Sequence, residues 1–212
     1  MSDLLARALP LTDPPALRAE ARARGLLASL LRPSQLDEWR RQGTFWLHTP
    51  RGWFRLGALY DIRYRAPRAP WVERSICVVT DGYEHRPLPD LWAELTVAVQ
   101  AMPDAFTAEA NFRGEAAARA PGATDVLALR SWLEATALTF QRLRDRGATL
   151  DAAYLAFDTA HRVTRTCRPG WAGAYAARAA ELVTQHAEHY PAERTHLLEA
   201  HVPVFALAER LA

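Results

Sequence analysis

The sequence predicts an α+β fold, in which a small antiparallel β-meander with flanking helices is followed by an all-helical four-helix module. Two observations lead to this prediction. Between residues 44 and 80, short aromatic and apolar runs are separated by turns rich in Pro and Gly, which is typical of strands joined as hairpins. After residue 125, apolar residues recur every three or four positions, which predicts amphipathic helices with short connections.

Helices are predicted before the sheet. Pro14 and Pro15 suit the first turn of a helix, and Pro33 ends that segment. Ser34 is a predicted N-cap for a second, short helix, which ends at Gly43.

The meander is predicted to have three or four strands, at residues 44–49, 53–56, 59–65 and 71–80. The run from Ile76 to Val79 is apolar throughout, so we expect the last of these strands to be central. A helix capped by Asp90 follows, and the segment after Pro103 is predicted to continue it to Phe112.

Four helices are predicted in the second half, at residues 125–146, 151–165, 170–190 and 191–211. Pro203 predicts a kink or break in the last of them. The Pro121-Gly122 pair marks residues 115–124 as a linker. The chain is therefore predicted to divide into an α+β unit at 1–114, this linker, and a helical bundle at 125–212.

All 26 basic residues are arginines, and the absence of lysine excludes several classes of enzyme. Schiff-base chemistry, P-loop phosphate binding and kinase-type catalysis each need a lysine. Every cationic contact must be made by a guanidinium, which binds carboxylate or phosphate as a planar fork. The formal net charge is only +2, which does not indicate nucleic-acid binding over the whole surface.

The chain is predicted to be cytoplasmic and to have no membrane partner. No apolar run approaches the ~20 residues that a membrane span needs, and the first residues lack the pattern of a signal peptide. Cys77 and Cys167 lie outside any Cys-x-x-Cys pair, so both are expected to be free thiols.

Six short motifs are spread through the first half of the chain. They are Leu31-x-Pro33-x-Gln35, Gly43-x-Phe45, Trp53-Phe54-Arg55, Ile76-Cys77-Val78, Leu88-Pro89-Asp90 and Ala110-Asn111. On these motifs, residues 30–111 resemble an uncharacterised bacterial domain of hypothetical proteins. The resemblance implies a shared fold for this segment and no activity.

The first candidate site is an arginine-aromatic surface on the sheet. Between Arg40 and Ile76 the chain has eight arginines and only two acids, Asp61 and Glu73, which gives a local charge of +6. The candidate residues for binding a partner or nucleic acid are Arg51, Trp53, Arg55, Arg63, Arg65, Arg68 and Arg74. Guanidiniums that contact phosphates and rings that stack on bases are typical of sheets that bind RNA or single strands. An acidic protein would meet the same arginines equally well.

The register of the strands decides between this hypothesis and a simpler one. The aromatic residues of a half-buried sheet ordinarily form its core face, with the arginines on the solvent face. Alternation puts Arg63 and Arg65 on one face, where they would form a stripe. If Arg55 lay on the opposite face from these two, there would be no basic groove.

The second candidate site is a metal centre in the helical bundle. Asp158 and His161 are three positions apart on one predicted helix, as are Glu193 and His196 on another, so each pair lies on one helix face. The helices before and between these pairs carry Glu134, Glu181 and Glu188. The alternation of an acid helix with an acid-x-x-His helix resembles the ferritin-like carboxylate bundles, which hold two metal ions. The hypothesis therefore implies iron, manganese or zinc.

Two alternatives stay open for the same histidines. His161, His201 and either His186 or His189 would face inward and could hold one zinc ion. The other alternative is that the acids are surface charges of the helices and the histidines are hydrogen-bonded members of the core.

Trp39 and Trp92 are candidate anchors of a protein interface, because Trp92 lies off the apolar stripe of its predicted helix and Trp39 sits on a short, charged helix. Oligomerisation is therefore a further expectation. The alternative is that these rings form a satellite core between the sheet and the helices.

From these features we expect a non-catalytic binding or assembly subunit with no cofactor. Its arginine-rich face would engage an acidic partner, either a protein or a nucleic acid. The alternative is a metal-dependent enzyme of the helical-bundle type, with Asp158, His161, Glu193 and His196 as its carboxylate and histidine ligands.

Overall fold

The fold is organised around one antiparallel sheet, with helices packed on both of its faces. The computed structural model describes residues 14–57, 62–78, 86–115, 126–164 and 169–212. It confirms the predicted α+β class, because a sheet flanked by helices is followed by a helical C-terminal region.

The elements of the described residues follow in this order along the chain. The helices of the first half are α1 (Pro14–Leu30), α2 (Pro33–Gln42), α3 (Leu88–Ala101) and α4 (Pro103–Glu109). The strands are β1 (Thr44–Thr49), β2 (Gly52–Gly57), β3 (Ile62–Ala66), β4 (Ala69–Cys77) and β5 (Asn111–Glu115). The C-terminal region comprises α5 (Val126–Asp145), α6 (Thr149–Thr164), α7 (Pro169–Glu188), a 3₁₀ turn (Pro191–Glu193), α8 (Arg194–Ala200) and α9 (Val202–Leu211).

The described strands pair in chain order, β1-β2-β3-β4-β5, and each pair is antiparallel. The predicted meander has three or four strands, so β5 is an addition to it. Phe112 pairs with Ile76 of β4 instead of ending a helix. Strand β5 forms because β4 offers it a ladder of backbone partners, which is a tertiary contact that the local sequence does not signal.

The two faces of the sheet belong to two different cores. On one face, Phe45 and Phe54 pack with the apolar sides of α1 and α3. On the other face, Trp46 and Trp53 pack with α6, α7 and α9. Because successive side chains of a strand point to opposite faces, these two cores cover the sheet from both sides.

The tryptophans predicted to anchor an interface lie in or against the first core. Trp92 is only 3% exposed. Trp39 is partly buried and packs against the same core. The expectation that both would be available to a partner is therefore wrong for Trp92, whose ring is enclosed by the helices on this face of the sheet.

Helix α2 begins before its predicted N-cap. The N-cap is Arg32, whose backbone N–H donates to Gln35 Oε1 at 3.0 Å. Ser34 lies inside the first turn, and its hydroxyl donates to Glu193 Oε2 at 2.6 Å. The helix ends as predicted at Gly43, which has a left-handed φ of 70°. The first turn of α2 is therefore tied to the C-terminal region.

The last predicted helix is divided in the structure. The 3₁₀ turn, α8 and α9 replace it, and the break at His201, next to Pro203, confirms the predicted interruption. Helices α6 and α7 pack along their lengths. Small buried residues allow this close approach, namely Ala152, Ala153, Ala156 and Ala160 of α6 with Ala172, Ala176 and Ala179 of α7.

The predicted linker at 115–124 falls, apart from its first residue, outside the described residues, as does Cys167. The predicted division into two units therefore stays a prediction.

Gly52 should not tolerate a side chain, since its φ is +136° and a Cβ would lie 2.2 Å from the carbonyl oxygen of Arg65. We expect Gly52→Ala to lower the free energy of unfolding by roughly 2–3 kcal/mol through strain and overpacking. The control is Gly25→Ala in α1, where a Cβ meets nothing within 4 Å. That change should raise stability by about 0.5–1 kcal/mol. Urea unfolding of both variants checks the prediction, and a neutral Gly52→Ala would contradict it.

Candidate functional site

The predicted basic surface of the sheet lies on the face that meets the C-terminal helices. Arg55 stands opposite Arg63 in the register of β2 and β3, and Arg65 stands opposite Trp53. The three arginines therefore share one face of the sheet, as the hypothesis of a basic groove requires. That face is covered, because α6 packs on β4 and the second core lies over it.

Two of these arginines are held by acids of the chain itself. Arg65 donates to Glu73 Oε2 from Nε at 3.1 Å and from Nη2 at 2.8 Å, and its side chain is only 8% exposed. Arg55 donates from Nη1 to Asp151 Oδ1 at 3.1 Å, and its Nη2 lies 3.8 Å from Glu73 Oε1. The guanidinium of Arg65 also lies over the Tyr154 ring, 4.6 Å from the centroid. These contacts join the sheet to α6.

This network controls the ionisation of its carboxylates. Burial acts to raise the pKa of Glu73, but the charges of Arg65 and Arg55 outweigh it and the pKa is lowered. Burial raises the pKa of Asp158 despite the opposing charges of Arg65 and Arg162. Asp158 Oδ2 accepts a hydrogen bond from Arg162 Nη2 at 3.1 Å, whereas its buried Oδ1 has no partner among the described residues.

The other predicted binding residues are dispersed. Trp53 is buried, and its Nε1 donates to the carbonyl oxygen of Ala200 at 3.0 Å. Arg51 and Arg68 lie in exposed turns, and Arg74 is on the opposite face of the sheet. The seven residues therefore do not form one exposed surface. The alternative, with aromatic residues on the core face of the sheet and arginines on the solvent face, is also wrong, since arginine and tryptophan side chains share the covered face.

The predicted metal ligands are not brought together. Asp158 and His161 lie on α6, whereas Glu193 and His196 line a cavity beside the first turn of α2. Glu193 Oε1 accepts the backbone N–H of Ser34 at 3.0 Å, so its carboxylate is engaged in the fold. Across the ranges that the structure describes, no group of three or more His, Cys, Asp or Glu side chains is arranged to hold a metal ion.

The cavity beside α2 is lined by histidines from separate parts of the chain. His48 of β1, His186 of α7 and His196 of α8 line it, and the buried ring of His201 lies 4.6 Å from that of His48, centroid to centroid. The space at its centre is about 10 Å³, which is the size of one water molecule. His161, which the zinc alternative groups with His186 and His201, does not line it.

Three ring nitrogens of this histidine cluster are buried without a partner among the described residues: His48 Nδ1, His186 Nε2 and His201 Nε2. His201 Nδ1 lies 2.7 Å from the carbonyl oxygen of Leu197, which can only accept, so Nδ1 carries the proton. Burial, as the largest effect, lowers the pKa of His186 to about 3 and that of His201 to about 4. These two rings are therefore neutral at pH 7.

Glu38 lines the same cavity, and its pKa is shifted upward, whereas the pKa values of His186 and His201 are lowered. Burial, followed by the charge of Asp151, raises the pKa of Glu38 to about 8, although the backbone of Trp46 donates a hydrogen bond to it. Glu38 is therefore mostly protonated at neutral pH. A space of this size cannot admit an organic substrate, and the chemistry that the histidines and Glu38 offer is the uptake of protons.

Exposed arginines gather elsewhere, where the C-terminal ends of α2 and α5 meet. Gln42 Nε2 donates there to the carbonyl oxygen of Gly147 at 3.4 Å. The helix-end arginine patch consists of Arg40, Arg41, Arg142, Arg144 and Arg146. All five side chains are exposed, and none is in an ion pair within the described part of the chain.

Helix geometry explains why the sequence did not reveal this patch. Arginines in the last turn of a helix complement the partial negative charge of its terminal carbonyl groups. In the sequence, the arginines at the end of α2 and those at the end of α5 therefore look like ordinary C-terminal residues of two separate helices. The two sets become one surface only because Gln42 and Gly147, 105 positions apart, are in contact.

Comparison with known proteins found no family model, no curated protein and no solved structure that matches the chain. The resemblance of residues 30–111 to an uncharacterised bacterial domain therefore stays a prediction. None of the helices in the described ranges combines the length and the apolar character that crossing a membrane requires.

Removing the carboxylate of Glu73 tests whether the buried ion pair with Arg65 stabilises the fold. We expect Glu73→Gln to lower the free energy of unfolding by about 3 kcal/mol, because the buried guanidinium of Arg65 would lose its counter-charge. The matched control is Glu20→Gln, which breaks the ion pair with the exposed Arg24 and should cost no more than about 0.5 kcal/mol. If urea unfolding showed the same loss of stability in Glu73→Gln and Glu20→Gln, a stabilising role of the buried Arg65–Glu73 pair would be contradicted.

The histidine cluster should make the protein less stable in acid. His186 and His201 stay neutral in the folded state down to pKa values of about 3 and about 4, whereas the unfolded chain protonates them below pH 6.5. The free energy of unfolding should therefore fall as the pH drops from 6.5 toward 4, by up to about 1.4 kcal/mol per histidine and pH unit. Urea unfolding at several pH values measures this slope.

Glu38 should oppose this slope, because a raised pKa makes stability fall as the pH rises from 4.5 to about 8. Between pH 5 and 6.5, His186→Gln should flatten the dependence on pH and Glu38→Gln should steepen it. An unchanged slope in His186→Gln would show that His186 is not neutral in the folded protein.

Proposed function

We propose that the protein is a non-catalytic binding or assembly subunit that holds an acidic segment of a partner protein on the helix-end arginine patch. The observation that carries this proposal is the contact between two helix ends that carry five exposed arginines, none of them in an ion pair within the described residues. Arg55 and Arg65 on the sheet, by contrast, have acids of the chain as partners. Exposed arginines at neighbouring helix ends that are not used in ion pairs can attract an anionic partner.

Guanidinium chemistry supports carboxylate as the group that is bound, since its fork of N–H donors matches the two oxygens. Arg41 is already partly oriented for this. Its Nε donates to the carbonyl oxygen of Asp37 at 3.3 Å and its Nη2 to the hydroxyl of Tyr190 at 3.5 Å. A side chain held in this way loses less conformational freedom when a ligand binds.

A protein partner is favoured over a nucleic acid because the aromatic rings beside the patch are already engaged. Trp39 packs against the first core. Tyr190 donates its hydroxyl proton to Asp37 at 3.0 Å, and its ring lies 5.3 Å from that of His186. Single-stranded nucleic acids bind sheets and grooves by stacking on open rings as well as by phosphate contacts. The net charge of +2 also favours a local acidic segment over a long polyanion.

Charge reversal in the patch tests the proposal. We expect a fluorescent decaglutamate peptide to bind the full chain in low salt and to be released as salt is added, because exposed charges are screened. Arg142→Glu combined with Arg146→Glu should weaken this binding at least tenfold. The control with the same charge change is Arg18→Glu combined with Arg22→Glu, on the exposed side of α1, and it should leave binding nearly unchanged.

Fluorescence anisotropy gives the affinities, with circular dichroism as a check that each variant is folded. Equal weakening in both double variants would indicate attraction by overall charge and contradict a specific patch. A ten-nucleotide oligothymidylate that binds the patch more tightly than the peptide would assign the site to nucleic acid instead.

A further inference from the structure

An apolar groove separates α5 from α7. Helix α5 packs on α6 and makes little contact with α7, whereas α6 and α7 pack along their lengths. Two cavities of about 540 and about 370 Å³ lie in the gap. Both are lined by Ala137, Ala174 and Tyr175, so they are parts of one continuous groove.

Large apolar side chains line this groove along its length. Leu129 and Leu133 of α5 face Trp171 of α7 at one end, and Phe140 and Tyr175 line the other. Trp171 is 45% exposed, which is unusual for so large a ring. Half-exposed aromatic rings in an apolar groove are typical anchors for a binding partner.

The charges at the rim connect the groove to the helix-end arginine patch. Arg130 and Arg178 lie on its two sides and pair with acids of their own helices. The hydrogen bond from Arg178 lowers the pKa of Glu181 most, and the charge of Arg144 contributes to the same shift. Arg144, a member of the patch, is therefore within electrostatic reach of the α7 side of the groove.

We propose that this groove binds an amphipathic helix of the partner protein, with its apolar face on Trp171 and Tyr175 and its acidic residues on the helix-end arginine patch. This inference rests on the proposed function, whose partner it defines. The groove follows α5 from Leu129 to Gln141, which is ~18 Å at 1.5 Å per residue and matches a helix of about 12 residues.

A helix fits this groove better than an extended peptide does. The walls are helices, whose backbone groups are bonded within themselves, so an extended segment would bury its own N–H and C=O groups without partners. A helix satisfies those groups internally and meets the walls through side chains alone.

A partner of different sequence fits better than α1 of a second copy, the helix with two exposed leucines. Leu17 and Leu26 are exposed on α1, but the arginines between them, Arg18, Arg22 and Arg24, would be repelled by the patch. Helix α1 of a second copy would therefore bring the wrong charge to this end of the groove.

The test uses the full chain and two labelled 14-residue peptides of identical composition, rich in Leu, Ala and Glu. One peptide places the leucines on one face of a helix, and the other has the same residues in a scrambled order. We expect the amphipathic peptide to bind at least tenfold more tightly than the scrambled one. Trp171→Ala should abolish most of that difference, whereas the control Val202→Ala, an exposed apolar residue of α9, should not.

Each outcome decides between the two proposals. Equal binding of both peptides that is lost in Arg142→Glu/Arg146→Glu would overturn the groove as the site and keep the acidic partner. Binding of neither peptide would overturn both. A dimer in sedimentation experiments that dissociates in Trp171→Ala would assign the groove to a second copy. A folded circular dichroism spectrum of Trp171→Ala excludes loss of structure as the cause.

Discussion

The rest of the structure depends on the buried ion pair between Arg65 and Glu73. A guanidinium with a side chain 8% exposed has to keep a carboxylate beside it, because an unpaired charge at that depth is strongly destabilising. Glu73 also lies near Arg55, which reaches Asp151 in the first turn of α6. An acid at that end of a helix is stabilised by the helix dipole. This chain of charges fixes the start of α6 on the sheet.

This arrangement determines where a partner can bind. A sheet that reads nucleic acid must leave its basic face open, whereas here α6 and the second core cover that face. The covered arginines take part in folding. The helix-end arginine patch, by contrast, is exposed at the ends of α2 and α5, next to a groove that the loose packing of α5 leaves between helices. The proposed function thus follows from which charges the fold neutralises internally.

Local features could be predicted from the sequence and tertiary ones could not. The end of α2 at Gly43 and the break beside Pro203 are backbone effects of single residues, and both were predicted correctly. Strand β5 depends on the edge of β4, and the helix-end arginine patch depends on the contact of Gln42 with Gly147. Alternation placed Arg63 and Arg65 on one face, but nothing in their neighbourhood along the chain shows what covers that face. The histidine cluster could not be predicted for the same reason, since His48 lies on β1 whereas His186 and His196 lie on C-terminal helices.

The central claim is that the covered face of the sheet joins the first half of the chain and the C-terminal helices into one cooperative structure. Native-state hydrogen exchange in increasing urea tests it most directly, because it gives an opening free energy for each segment. The amides of β2 and β3 and those of α6 should converge on the same opening free energy, equal to that of global unfolding. If α6 and α7 exchanged in a separate transition at lower urea while the sheet stayed protected, the claim would be contradicted.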